Sequence, residues 1–204
     1  MARLKSGPTP AMAAHDLDHV ARLFERLGLG RFARKLRPPV LWAVYVGING
    51  FISIGLLSLL TLFTRVPFIF PSLGPTAYEL FFRPRSQVST PHNTLIGHLI
   101  GLCCGYAVFR LLNAAPGTSI ESPMFDWRTV VAAALAVGFT AALMILLHAS
   151  HPPAGATTLI VGLGIVTKPA YLGVIELAVL LLVLQAVCIN RLAGLPYPFW
   201  RSRS

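Results

Sequence analysis

Apolar residues along this chain gather into runs long enough to cross a bilayer, and polar residues fall mostly between the runs. Val40 to Phe63 is apolar or weakly polar throughout, with Asn49 as its most polar member and Arg65 just beyond it. His92 to Leu112, Trp127 to His148 and Ala170 to Asn190 repeat that character. About 20 such residues suffice for a helix to span the hydrocarbon core, so the pattern predicts four long transmembrane helices. Two further apolar pieces are shorter and interrupted. Val66 to Phe82 contains Pro67, Pro71, Gly74 and Pro75, and the piece between His148 and Thr167 contains Ser150-His151-Pro152-Pro153-Ala154-Gly155-Ala156-Thr157. Proline lacks an N–H and clashes with the preceding turn, so neither piece can run through its break as a regular helix. We expect the regular part of the first to start near Pro75 and that of the second to follow Gly155-Ala156-Thr157.

Local signals fix several boundaries. Thr90-Pro91 reads as an N-cap followed by proline at the first helical position, and Lys168-Pro169 restarts the chain before the last span. Gly97, Gly101 and Gly105 form a small-residue stripe, the pattern that lets membrane helices pack closely. Ahead of the first span, Val20, Phe24 and Leu27 recur at helical spacing among arginines. They predict either a short helix lying on the inner leaflet or a basic tail without fixed structure.

The order long, short and broken, long occurs twice. Shifted by 81 residues, Pro71 falls on Pro152, Gly74 on Gly155, Thr76 on Thr157 and Arg110 on Arg191. Three crossings per unit would invert the second unit relative to the first. We therefore expect an all-α polytopic membrane protein, a 3+3 inverted repeat with four long transmembrane helices and two short Pro/Gly-broken helices. Its parts are a basic cytoplasmic N-terminal arm (1–37), a first three-helix repeat (38–112), an extracytoplasmic loop (113–126), a second repeat (127–193) and a basic C-terminal tail (194–204).

Composition agrees with this reading. Of 204 residues 55% are hydrophobic and 12% charged, and mean hydropathy is +0.69. The formal charge of +10 invites nucleic-acid binding, but Arg3, Lys5, Arg22, Arg26, Arg31, Arg34, Lys35 and Arg37 all precede the first span, as the positive-inside bias requires of a cytoplasmic flank. No nucleic-acid partner is expected. With both termini inside, six crossings put Arg83 and Arg85 in the cytoplasm and Glu121 and Asp126 outside, which suits a bacterial cytoplasmic membrane. Cys103, Cys104 and Cys188 lie in apolar runs without ligand spacing and read as core residues.

Paired broken helices in inverted repeats point to a transporter site near the midplane. A half-helix that starts inside the membrane presents unpaired N–H groups and a partial positive charge, and two such starts can converge on one small anion. The candidate binding or gating residues are Gly74, Thr76, Asn93, His98, His151, Pro152, Pro153, Gly155 and Thr157. His151 has two readings, a substrate contact, gate or proton carrier on one side and a brace for carbonyls freed by the prolines on the other. His98 divides similarly, since it can hydrogen-bond between the two units. Thr76, Thr157 and Thr158 can donate to an anion or cap a helix. Glu79 and Glu176 are membrane-embedded carboxylates that either couple proton movement, or merely reach an interface or pair with Arg83 or another cation. His148 and His151 have H-x-x-H spacing, but no acidic or cysteine ligand lies nearby, so no metal and no cofactor is expected.

The His151-Pro152-Pro153 triplet within Ser150 to Thr157, together with Gly74-Pro75-Thr76-Ala77 and the stretch from Pro91-His92-Asn93 to Gly97-His98, resembles the signature of the HPP family of integral membrane proteins. The resemblance extends from about Val40 to Asn190. It implies a membrane function, and some plant plastid and cyanobacterial members are linked to nitrite transport. Descriptions of that family often give four spans, against the six expected here. Pro75 departs from the family pattern, which has a small residue or alanine after the first glycine.

The leading expectation is a small-anion transporter or channel, with nitrite as the substrate the resemblance implies, the bilayer as partner and a homo-oligomer as one possible state. A helix-bundle assembly factor or sensor without a substrate is the alternative. An intramembrane enzyme would need a nucleophile beside a base. Ser150 next to His151 is the one candidate pair, so no catalytic residue is assigned.

Overall fold

The computed structural model describes residues 14–112 and 127–201, and the loop expected outside at 113–126 lies beyond them. Among the described residues the regular structure is all helical. A short helix α1 (Ala14–Arg26) and a single turn α2 (Gly30–Ala33) precede the first long span, α3 (Pro38–Thr64). Then come α4 (Leu73–Phe82), α5 (Pro91–Leu111), α6 (Trp127–Leu146), α7 (Ala154–Gly162) and α8 (Pro169–Leu192). Helices α3, α5, α6 and α8 are long and apolar enough to cross a membrane, so this is an integral membrane protein with the four long spans that the apolar runs predict.

The starts of the long helices follow their prolines. Pro38, Pro91 and Pro169 each sit in the first turn, where a missing N–H costs nothing. Thr90 is a working N-cap, its Oγ1 accepting from the Asn93 amide at 3.2 Å. The short helices begin earlier than expected, at Leu73 and Ala154. Pro75 is thereby absorbed into the first turn of α4, a position proline tolerates. With 10 and 9 residues, each covers roughly 15 Å, about half of the hydrocarbon thickness.

Contacts fix the direction of each element. Leu41, Trp42 and Tyr45 at the start of α3 cluster with Ala193 and Leu195 beyond the end of α8, and with Val20 and Phe24 of α1. The Tyr197 hydroxyl donates to the Ser89 carbonyl, and the His92 amide donates to the Trp200 carbonyl at 3.0 Å. The 83–90 connection therefore lies at the same end as α1 and the C-terminal tail. At the opposite end Val108 and Phe109 of α5 pack on Ala132 and Ala136 of α6. Irregular chain at 65–72 followed by α4 carries the polypeptide from the far end to the near one. The break at 147–153 followed by α7 carries it the other way.

The apolar stripe of α1 meets protein rather than lipid. Val20 is 0% and Phe24 4% exposed, against 65% for Leu27, so only Leu27 keeps the surface position expected of a leaflet-bound helix.

The glycine stripe of α5 lies directly against α7. A Cβ at Gly97 would fall 2.8 Å from the His151 Cβ, and one at Gly101 would fall 2.8 Å from Thr158 Oγ1 and 2.9 Å from the Ala154 carbonyl oxygen. At Gly105 it would meet the Thr158 carbonyl at 2.8 Å. Backbone cannot yield as a flexible side chain can, so this contact admits no side chain. Gly101→Ala should destabilise the protein by about 1–3 kcal/mol, the usual cost of overpacking a core. Gly138→Ala, where a Cβ meets nothing within 4 Å, should be neutral or slightly stabilising. Thermal unfolding in detergent compares the two, and equal melting temperatures would show that α5 and α7 are not in this register.

Candidate functional site

Pro152 and Pro153 stand where a new helix can form behind them. Pro153 is the N-cap of α7, and the amides of Ala154, Gly155 and Ala156 donate to the carbonyls of His151, Pro152 and Pro153 at 3.0–3.1 Å. The first-turn donors of α7 are thus used in tight turns, and the row of unpaired N–H groups expected there is absent. Instead the polar capacity of the break lies in side chains.

His151 is fully buried. Its Nδ1 lies 2.6 Å from the Val88 carbonyl oxygen. A carbonyl only accepts, so Nδ1 carries the proton, and in the neutral ring Nε2 is an acceptor. That Nε2 faces Thr76 Oγ1 at 3.4 Å, close to the limit of a useful hydrogen bond. His98, on α5, is equally buried. Its Nδ1 is 2.7 Å from Thr157 Oγ1 and its Nε2 is 2.9 Å from Thr76 Oγ1. The two imidazoles are 5.1 Å apart between centroids.

With both rings neutral, the protons can be placed consistently. Thr76 donates to the Ser72 carbonyl at 2.9 Å, so it accepts from His98 Nε2–H. His98 Nδ1 then accepts from the Thr157 hydroxyl. In this placement every member is satisfied except His151 Nε2, which has only the 3.4 Å contact. A proton added there would convert Nε2 into a donor to Thr76 and place a positive charge between the two half-helices.

Of the residues expected from sequence, Thr76, His98, His151 and Thr157 come together in this cluster. Gly74, Pro152 and Pro153 line a cleft of about 620 Å³ beside it, with Pro75, Tyr78, Glu79 and Ala156. The starts of α4 and α7 therefore do converge. The two threonine hydroxyls point to His98 and not into the cleft. Asn93 acts from the side, its Nδ2 donating to the Ser150 carbonyl at 3.1 Å. Gly155 does not join the cluster, and a Cβ there would meet nothing within 4 Å. Thr158 is tied into packing through Thr140 Oγ1 at 3.0 Å and the Ala154 carbonyl at 3.1 Å. His148 is exposed at a left-handed φ of 52°, so it does not face the same way as buried His151. Both ring nitrogens of His151 face Val88 and Thr76, which leaves Ser150 without a base.

Sequence reasoning missed the Ser72 and Val88 carbonyls, because backbone acceptors have no residue signature. It also missed the hydroxyls of Ser72 and Thr94, which are buried and have no hydrogen-bond partner. Glu79 Oε2 and Glu176 Oε2 are buried without a partner too. Neither carboxylate pairs with a cation among the described residues, against the pairing reading alone.

Comparison with known proteins agrees with the geometry in kind. The family model of the HPP transmembrane region matches residues 35–198. A transmembrane protein of Dictyostelium discoideum is 27% identical over 152 residues, covering 72% of this chain and 50% of the relative. The chain thus spans about half the length of that curated relative. No solved structure matches it.

Thr76 and Thr157 do not bond each other, yet each depends on the tautomer of His98. Thr157→Val should cost about 1–3 kcal/mol, because it leaves a buried nitrogen unpaired. Combined with Thr76→Val, the loss should depart from additivity by roughly 0.5–3 kcal/mol. Denaturant unfolding of the four proteins in micelles measures this, and additive losses would show that His98 does not link them.

Proposed function

The chain belongs to the HPP transmembrane family, and from that premise we propose that it is a small-anion transporter or channel whose site lies where α4 and α7 begin. The observation that carries this reading is the buried cluster of Thr76, His98, His151 and Thr157 at the meeting point of two half-helices. Ionisable side chains inside a membrane are expensive and mark ion and substrate pathways, and half-helix starts are where transporters hold their ligands. Nitrite is the first substrate to test, by resemblance to the family. The reading assigns no catalytic residue.

We further read the chain as a 3+3 inverted repeat, α3–α5 followed by α6–α8. Support comes from the pairing of helices. Helix α3 packs on α4 and α6 on α7, α5 packs on α7 and α8 on α4, and α5 packs on α6 and α8 on α3. Exchanging the halves leaves this set unchanged. The displacement of 81 residues also takes Gly97, Gly101 and Gly105 to Ala178, Leu182 and Ala186, all buried on α8. On the positive-inside bias, the end holding α1, Arg83, Arg85 and the C-terminal tail is cytoplasmic.

In this reading the described arrangement is a closed, neutral state. A proton on His151 Nε2 supplies the charge that attracts an anion, so proton and anion enter together. The groups facing His151 are His98 and Thr76, with Glu79 beside the cleft.

Two measurements test this. In proteoliposomes, protein-dependent nitrite flux should rise as pH falls. His151→Gln, which keeps a hydrogen-bonding side chain but cannot titrate, should reduce flux and flatten that response. Protein-free liposomes subtract the leak of nitrous acid. Wild-type flux and pH profile in the variant would leave His151 as a brace, and no flux from folded wild-type protein would favour the non-transporting reading. For topology, a single cysteine at position 87 in a cysteine-free background should be protected from impermeant reagent in intact cells. Labelling from outside would reverse the orientation.

A further inference from the structure

A second site is built at the near end of the bundle, apart from the histidine cluster. The tail after α8, as far as Arg201, folds back over that end and is pinned at several points. Leu195 and Tyr197 are 3% and 1% exposed, the Tyr197 hydroxyl donates to the Ser89 carbonyl, and the Trp200 carbonyl accepts from the His92 amide. Burial pushes the ionisation of Tyr197 above the ordinary phenol range, which keeps it a donor. Between this tail and the 83–90 connection is a cavity of about 640 Å³. Arg85, Arg191 and Arg201 line it, with Phe199 and Trp200.

Each guanidinium is anchored by one hydrogen bond, and that of Arg191 also by a ring. Arg191 Nη1 donates to the Tyr197 carbonyl at 2.8 Å, and the guanidinium sits 3.7 Å over the Phe199 ring. Arg201 Nη2 donates to His92 Nε2 at 2.7 Å, while His92 Nδ1 faces Asn93 Oδ1 at 3.0 Å. Arg85 Nη1 reaches Asp16 Oδ1 at 3.4 Å. An arginine has five donors, so most of each fork is left for a ligand. Three positive charges thus border one cavity whose lining contains no carboxylate. Arginine forks match phosphate oxygens in geometry and charge. The volume lies in the usual range for small-molecule sites and far exceeds that of a triatomic anion.

We propose that this cavity binds a phosphate-bearing ligand through Arg85, Arg191 and Arg201, with Phe199 and Trp200 as its apolar wall. The phosphate belongs either to a soluble metabolite or to an anionic lipid headgroup of the adjoining leaflet. The proposal does not depend on transport.

The test uses the full-length protein purified in detergent and stripped of lipid. Inorganic pyrophosphate is titrated by calorimetry, and phosphatidylglycerol binding is followed by native mass spectrometry. Arg201→Gln and Arg85→Gln should each weaken binding of the effective probe about tenfold or more, since each removes a charge-assisted contact. Arg65→Gln, at the far end of α3, makes the same change in net charge and should bind as wild type. Arg191→Gln is the less safe variant because Arg191 also holds the tail. Binding of pyrophosphate alone identifies a soluble ligand, and binding of the lipid alone identifies a headgroup. Failure of both probes would overturn the proposal, as would equal weakening in Arg65→Gln and Arg201→Gln.

Discussion

One imidazole holds the middle of this protein together. His98 bonds Thr76 of the first half-helix through Nε2 at 2.9 Å and Thr157 of the second through Nδ1 at 2.7 Å. A neutral ring has one donor and one acceptor, so the two threonines cannot play the same role toward it. Thr157 must donate, and Thr76 must accept and send its own proton elsewhere. That asymmetry determines what His151 meets. Its Nε2 faces a hydroxyl whose proton is committed to the Ser72 carbonyl, and it remains the least satisfied atom of the cluster.

This bridge is possible because α5 comes unusually close to α7. The glycines at 97, 101 and 105 present no Cβ to the contact, and the His151 side chain, the Ala154 carbonyl and the Thr158 backbone occupy the space. The same closeness lets α5 serve as a wall for the break, with Asn93 holding the Ser150 carbonyl. Non-helical backbone inside a membrane persists only where protein or water satisfies it. Here tight turns take up the amides of Ala154, Gly155 and Ala156, Asn93 bonds the Ser150 carbonyl, and the His151 ring ties the break to the Val88 carbonyl of the 83–90 connection. A break closed in this way leaves the Gly74, Pro75, Pro152 and Ala156 wall of the cleft apolar, with Tyr78 and Glu79 also on its lining and the histidine cluster behind.

Much of the fold was legible because hydrophobic run length and proline position are direct physical constraints. Pro38, Pro91 and Pro169 started their helices where the sequence placed them, and the glycine stripe met a helix as its spacing required. The starts of α4 and α7 were read too late, since proline can enter a first turn and Pro75 did so. For the site, residue types told which side chains were too polar for their surroundings, and Thr76, His98, His151 and Thr157 did converge. Their directions were not legible. Whether a threonine faces a cleft or a histidine depends on helix rotation, which no short motif encodes. The docking of α1 was hidden for a related reason, since one amphipathic stripe fits a leaflet or a bundle end equally well.

The central proposal is that a small anion is held at the cleft where α4 and α7 begin, beside the histidine cluster. Crosslinking across the cleft tests it most directly. Gly74→Cys and Ala156→Cys place one thiol on each wall, in a background without the three native cysteines, and a cleavable bifunctional reagent joins them in proteoliposomes. On this proposal the unlinked double variant should carry nitrite, linkage should stop the flux, and reduction should restore it. Full flux through protein shown to be linked would contradict it.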